Sequence, residues 1–264
     1  MGTRTSHGFT IIETMLFLAV SGILILAMIA GTGASLNIQR YRDAVESFKS
    51  LVQQQYSDLN SVQNSRSDTL SCDSNANPVA NGDQLPGQTG CFIIGKYMRI
   101  DASDVAIYNV LAYQKSTVIQ PDDITSLKNN YNISVDTTNV ENYTMEWGTQ
   151  IAWPVSGTGA SAQPTPRQLG MLFLRSPDSG LLYTFSGDKI SPDKTAIPPA
   201  TLTNLLVAGN AIPGQGARTI CVAAGGLFVK GSSAIYVAPF AGGSSAVEVR
   251  SNDYLTSIGQ TTQC

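Results

Sequence analysis

The chain has 264 residues, of which 42% are hydrophobic and only 13% charged, with a formal net charge of −3. Soluble domains carry about 25% charged residues, and disordered chains carry still fewer apolar ones, so this chain is neither a disordered tail nor a strongly basic nucleic-acid binder. The single histidine is His7. A mature form that loses its first residues has no imidazole, which excludes histidine-based triads and HExxH zinc sites.

Charge is distributed unevenly from the start of the chain. No charged residue lies between Glu13 and Arg40. Phe9 to Ala30, as a helix, would extend roughly 33 Å and cross a bilayer core of about 30 Å. A secretory signal peptide has a shorter apolar region of about 7–15 residues and a small-residue cleavage site after it. A buried core helix of this length would keep a polar face. The spacing therefore predicts a membrane span over 9–30. Glu13 stands inside its leading edge, where a carboxylate needs either the headgroup layer or a specific partner.

The hexapeptide Gly8-Phe9-Thr10-Ile11-Ile12-Glu13, followed directly by that span, resembles the processing site of type IV prepilins and pseudopilins. The resemblance covers about the first 30 residues. It implies a leader over 1–8, cleavage between Gly8 and Phe9 by a prepilin peptidase, and methylation of the new Phe9 amine. It also implies that Glu13 is the glutamate that pairs with the amine of a neighbouring subunit. The protein would be a structural subunit, a minor pilin or pseudopilin, with no enzymatic activity and no cofactor. Its partners would be other pilin subunits through the N-terminal helix, the peptidase, an assembly-platform protein and, before assembly, membrane lipid. The N-terminus would be cytoplasmic before processing, and the mature chain would sit in a cell-surface or periplasmic filament.

Beyond the span, apolar residues recur at Ile38, Tyr41, Val45, Phe48, Val52, Tyr56, Leu59 and Val62, at gaps of three and four that describe one helical face. The spacing predicts that one helix continues over 31–64 with an amphipathic second half, as a coiled-coil stalk or lying on a β-sheet. Gly31 and Gly33 interrupt it, each at a cost of about 1 kcal/mol against alanine. They mark either a melting point during assembly or close helix packing.

A polar stretch over 65–90 then precedes short runs rich in Val, Ile, Tyr and Phe. These predict strands at Cys91–Ile100, Val105–Tyr113, Tyr131–Val135, Tyr143–Trp153, Leu169–Leu174, Leu181–Phe185, Arg218–Ala224, Ala234–Pro239 and Ala246–Arg250. Eight of the 12 prolines lie between Pro154 and Pro213, so that region reads as loop with one short helix at Thr203–Ala208. The expected architecture is α+β: a long N-terminal helix, membrane-spanning in its first half, on an antiparallel β-sheet domain over 65–264. That is also the arrangement implied by the pilin resemblance.

The four cysteines, Cys72, Cys91, Cys221 and Cys264, all follow the span and allow three connectivities. Cys72–Cys91, closing the polar loop, and Cys221–Cys264, tying the chain end to a strand, are favoured. The latter resembles the C-terminal disulfide loop of many pilins. No CxxC spacing supports a metal site. Gly90 to Tyr97 imitates a phosphate-binding loop but has Tyr97 in place of the magnesium-binding Ser or Thr. Asp73-Ser-Asn75-Ala-Asn77 copies the start of a calcium loop, then breaks at Pro78 and Gln84. Asn132 and Asn142 begin glycosylation sequons.

An alternative reading is a DNA-binding tip pilin. The segment from Arg218 to Arg250 loosely resembles the C-terminal strands of GspH/FimT-type minor pilins, and Arg218, Lys230 and Arg250 would supply phosphate contacts. An adhesin reading rests on the long loops alone.

Overall fold

In the computed structural model, the described residues are 10–61, 70–80, 90–154, 165–188, 190–206, 218–226, 233–238, 241–257 and 264. One helix, α1 (Ile11–Asn60), is 50 residues long and runs unbroken through Gly31 and Gly33. At 1.5 Å per residue it extends roughly 75 Å. Thr10 caps its start, with the Thr10 side chain accepting from the Glu13 backbone N–H at 3.3 Å. Its end is capped by the Ser61 N–H donating to the Ser57 carbonyl at 2.9 Å.

The rest of the fold is antiparallel sheet with short helices, an α+β architecture. A small hairpin pairs β1 (Leu70–Cys72) with β2 (Pro78–Ala80). The main sheet contains β3 (Cys91–Asp101), β4 (Asp104–Gln114), β5 (Tyr131–Thr144), β7 (Gln168–Arg175) and β8 (Leu182–Gly187), in the order β5-β4-β3-β7-β8. A second sheet has the order β11-β10-β9-β6, from β6 (Gln150–Ala152), β9 (Arg218–Ala223), β10 (Ser233–Val237) and β11 (Val247–Ser251). Helices α2 (Asp123–Asn129), α3 (Pro199–Leu205) and α4 (Asn252–Ser257) complete it.

The second half of α1 buries five of the eight residues of its predicted stripe, while Ile38 stays exposed, Leu59 is half-buried and Val62 lies outside the described residues. Tyr41, Val45, Phe48, Val52 and Tyr56 pack with Met98, Ile100, Ile107, Met171 and Phe173 of the main sheet and with Ile220, Val222, Ile235 and Val247 of the second. Three polar side chains pin the helix at successive heights. The Tyr41 hydroxyl donates to the Val222 carbonyl at 2.8 Å and accepts from the Ser233 N–H at 2.7 Å. Gln53 donates to the Ser244 and Val247 carbonyls, and the Tyr56 hydroxyl bonds to Thr184 at 2.9 Å. Burial raises the Tyr56 phenol to about 12, the bond from Thr184 opposing it.

Strand alternation sends the other face of the main sheet into a second core. Tyr97, Tyr108, Val110, Leu172 and Phe185 meet Leu127 of α2 and Leu202 and Leu205 of α3. The main sheet is thus buried on both faces, which explains the long apolar runs of β3 and β4. The buried Arg99 side chain fastens this cover, donating to the Ser191 carbonyl at 2.9 Å and to Asp101 at 3.1 Å. The Tyr108 hydroxyl donates to the Lys194 carbonyl at 2.7 Å.

Several local expectations are corrected. Tyr131–Val135 and the start of Tyr143–Trp153 belong to one bulged strand, β5. It is followed by a tight turn at Glu146–Gly148 and the separate strand β6. The helix expected at Thr203–Ala208 ends at Leu205 and begins at Pro199, because Pro198-Pro199 supplies an N-terminal start. The 65–90 stretch is not all loop, since it holds the β1–β2 hairpin.

Candidate assembly surface

From Ile11 to Arg40, nearly every side chain of α1 is exposed. Phe17, for example, is 69% exposed and Leu26 is 68% exposed. This is a helix apolar on all sides, long enough to cross a membrane, and not covered by its own domain. Three of its hydroxyls bond within the helix. Thr14 donates to the Ile11 carbonyl, Ser21 to Leu18, and Thr32 to both Met28 and Ile29. Such bonding is what an apolar medium requires of a polar side chain. Around Gly31 and Gly33 the space is open.

Glu13 occupies the third position of α1, after the Thr10 cap. The Thr10-x-x-Glu13 spacing is that of a capping box, and an acidic group in the first turn faces the positive end of the helix dipole. This local role was legible in the sequence and went unrecognised there. Gly8 and Phe9 lie outside the described residues.

The helix meets the domain at Arg40 and Tyr41. Arg40 places its guanidinium 4.8 Å from the centre of the Trp147 ring. The Ser47 hydroxyl donates to the Glu146 carboxylate at 3.3 Å. Trp147 is 51% exposed, one of eight large apolar side chains that the described residues of the domain leave open. Sequence reading missed it, because a lone Trp-Gly pair between two strands carries no periodic signal.

Disulfides join Cys72 to Cys91, with Cα atoms 5.9 Å apart, and Cys221 to Cys264, with Cα atoms 5.2 Å apart. The first links the small hairpin to β3. The second fastens the last residue of the chain to β9.

The three basic residues proposed for nucleic acid do not form a described cluster. Arg218 pairs across from Val237 and Arg250 across from Ala234, so they sit at different levels of the second sheet. The Arg250 guanidinium lies 3.3 Å from the centre of the Tyr236 ring and donates to Glu248 at 3.0 and 3.2 Å. Its charge is already matched. Lys230 lies outside the described residues.

The imitations of ligand loops have structural explanations. Gly90 to Tyr97 leads into and along β3, where a Cβ on Gly95 would collide with the Phe173 carbonyl. That glycine serves the close approach of β7, and Lys96 pairs with Glu141 at 3.1 Å. The Asp73 carboxylate accepts from the backbone N–H groups of Asn75 and Asn77 and from the Asn77 amide. Those bonds, above all the Asn77 backbone one, hold its carboxyl below the usual range. Among the described residues, no group of three His, Cys, Asp or Glu side chains could hold a metal. Asn132 and Asn142 both lie on β5.

No protein-family profile, curated protein or solved structure matches the chain.

Proposed function

We propose that this chain is a structural subunit of a type IV pilin-like filament, a minor pilin or a pseudopilin of a type II secretion-like apparatus. One observation carries the reading. A single unbroken helix begins within the prepilin-like hexapeptide, leaves its apolar first half uncovered, and buries its second half on antiparallel sheet. An uncovered apolar cylinder is stable only in lipid or against other such cylinders. The two media correspond to the two stages of a filament subunit's life.

In this mechanism the protein makes and breaks no bonds. A prepilin peptidase cuts between Gly8 and Phe9 and methylates the Phe9 amine. The span 9–30 holds the subunit in the membrane with its domain outside, where disulfides persist. An assembly platform then draws it into a filament, where helices pack side by side and the Glu13 carboxylate meets the Phe9 amine of a neighbour. The globular domain faces outward.

Intact-mass analysis of protein from its native host tests the processing step, with the expected chain beginning at methylated Phe9. A retained leader, or cleavage after Ala30 or Ala34, would overturn the reading. Glu13→Ala tests the assembly step. Insertion and cleavage are expected to persist, while the ratio of filament-borne to membrane-borne protein falls sharply. Removing one partner of a buried ion pair typically costs about 3–5 kcal/mol. An unchanged ratio would reduce Glu13 to a capping residue.

A further inference from the structure

The turn between β5 and β6 contains an unexpected residue. The Thr149 N–H donates to the Glu146 carbonyl at 3.1 Å, closing a four-residue turn. Its two central residues, Trp147 and Gly148, both have positive φ, 57° and 72°. Positive φ at both central positions defines a type I′ turn, whose preferred sequence is Asn-Gly. Gly148 fits that preference. Trp147 does not, since a bulky residue in the left-handed region is a genuine outlier. Its ring is not held there by core burial either, being half exposed. An exposed, conformationally costly tryptophan indicates a task outside the folded domain.

Its position along α1 identifies the task. With the Glu13 carboxylate in the inner headgroup layer, helix rise puts Arg40 about 40 Å further on. The hydrocarbon is about 30 Å thick and the headgroup layers bring a bilayer to about 40–45 Å. Arg40 and the Trp147 ring beside it therefore reach the outer headgroup layer. Arg42, exposed two residues on, adds a second positive charge about 3 Å higher. Tryptophan beside arginine is the pairing suited to this layer, an amphipathic ring with a cation that meets lipid phosphate.

We propose that the Glu146–Thr149 turn is a membrane-interface anchor, with Trp147 seated among the outer-leaflet headgroups beside Arg40 while the subunit is in the bilayer. The proposal rests on the membrane-spanning part of the function proposed above. It adds a second lipid contact, made by the domain itself, that fixes how the domain stands on the membrane before assembly.

Trp147 and Trp153 are the two tryptophans of the chain, so Trp153→Phe leaves Trp147 as the sole fluorophore. The full chain in this form, reconstituted into vesicles of phosphatidylethanolamine and phosphatidylglycerol, is probed with nitroxide-labelled lipids, and alkaline extraction reports insertion separately. Headgroup labels are expected to quench Trp147 at least about twofold more than labels deep in the acyl chains, at any protein-to-lipid ratio. Inserted protein quenched by neither label, but open to aqueous iodide, would overturn the anchor and leave the span intact. Protein stripped off by alkali would overturn both. Shielding that appears only as the protein becomes crowded would assign Trp147 to a second copy of the chain and refute the lipid contact. Trp147→Asn, in the otherwise unaltered chain, is expected to keep or raise the thermal midpoint, because asparagine suits the turn. A lowered midpoint would show that packing holds Trp147 and would remove the reason to assign it to lipid.

Discussion

The two halves of α1 share one backbone and differ in what surrounds them. From Ile11 to Gln39 the helix touches none of its own cores and has no charge beyond Glu13; from Arg40 to Asn60 it is amphipathic, and its apolar stripe fills the space between two sheets. Phe17 and Phe48 make the contrast concrete, the first 69% exposed and the second 0%. Helicity in the second half is supported by tertiary packing. The first half has no such packing among the described residues, and an external apolar medium, in which unpaired backbone groups are costly, would supply that support. The same residue type therefore has unrelated roles at the two positions.

The largest expected effect follows directly. Phe48→Ala, in the full chain solubilised in detergent, should destabilise the domain by about 3–5 kcal/mol, as for other buried aromatic truncations. Phe17→Ala should leave the denaturant midpoint of the domain unchanged. If both variants shift that midpoint equally, the halves are coupled and the contrast fails.

How much of this was legible in the sequence depends on the length of each signal. Tyr41, Val45, Phe48, Val52 and Tyr56 repeat over four turns, and each of the five is buried as their spacing predicts. The charge-free stretch was equally plain, and its length survives as an exposed apolar helix. The strands β3, β4, β7 and β8 fall within a residue or two of their expected bounds. The short elements were not legible. Helix α2 has seven residues, about two turns, and its cap at Asp122 accepting from Thr125 reads as an ordinary loop aspartate without its context. Nor did the sequence announce that the outer face of the main sheet is covered. That cover depends on Arg99 reaching the Ser191 carbonyl across about ninety residues of chain, a contact no local pattern encodes. At the candidate site the apolar surface was legible, while the Arg40–Trp147 contact was not, because it joins the helix to a turn far away in sequence.

The disulfides sharpen the contrast next, since both lie outside the exposed half. Cys221–Cys264 closes 43 residues and holds β9, one of the strands on which α1 rests. Loop-closure entropy assigns it about 4 kcal/mol. The 19-residue separation of Cys72–Cys91 corresponds to about 3 kcal/mol. Cys264→Ser should therefore lower domain stability somewhat more than Cys72→Ser, and neither should alter resistance of the chain to alkaline extraction from membranes. Loss of that resistance in Cys264→Ser would mean that insertion depends on the folded domain.

Alkaline pH should act on the folded domain and the half of α1 buried in it, through Tyr56 of α1 and Tyr97 of β3. The Tyr56 phenol, pushed to about 12 by burial, and the Tyr97 phenol, pushed to about 12 by burial against the opposing charge of Arg99, ionise near 10 when exposed. Both are harder to deprotonate folded than unfolded. Their contribution to stability is thus complete below pH 10 and is lost as pH rises toward about 12. Tyr56→Phe should cost about 1 kcal/mol at neutral pH through its lost bond to Thr184. It should also flatten the alkaline decline, measured as denaturant midpoint against pH. An unchanged slope would assign that decline to other groups.

The smallest effect belongs to the exposed half. Gly31 and Gly33 stand in the middle of α1 with open space where a Cβ would go, so alanine meets no steric obstacle at either site. Each substitution should favour the helix locally by about 1 kcal/mol. Among the described residues nothing in the domain packs on these glycines, so its denaturant midpoint should not move. The local gain should appear in amide hydrogen exchange of the detergent-solubilised chain. Protection over Thr32–Ser35 is expected to rise about fivefold for one glycine and about thirtyfold for the pair, if opening there is a local event. Protection that spreads past Tyr41 into the domain would show that the helix opens as one unit and that its halves are not energetically separate. Filament incorporation then distinguishes the two roles open to the glycines. A pair that must melt during assembly would make the doubly substituted chain slower to incorporate at unchanged membrane level. A pair that lets helices approach closely would leave the rate alone and weaken the finished filament to shear, since a methyl group on each helix would separate the surfaces.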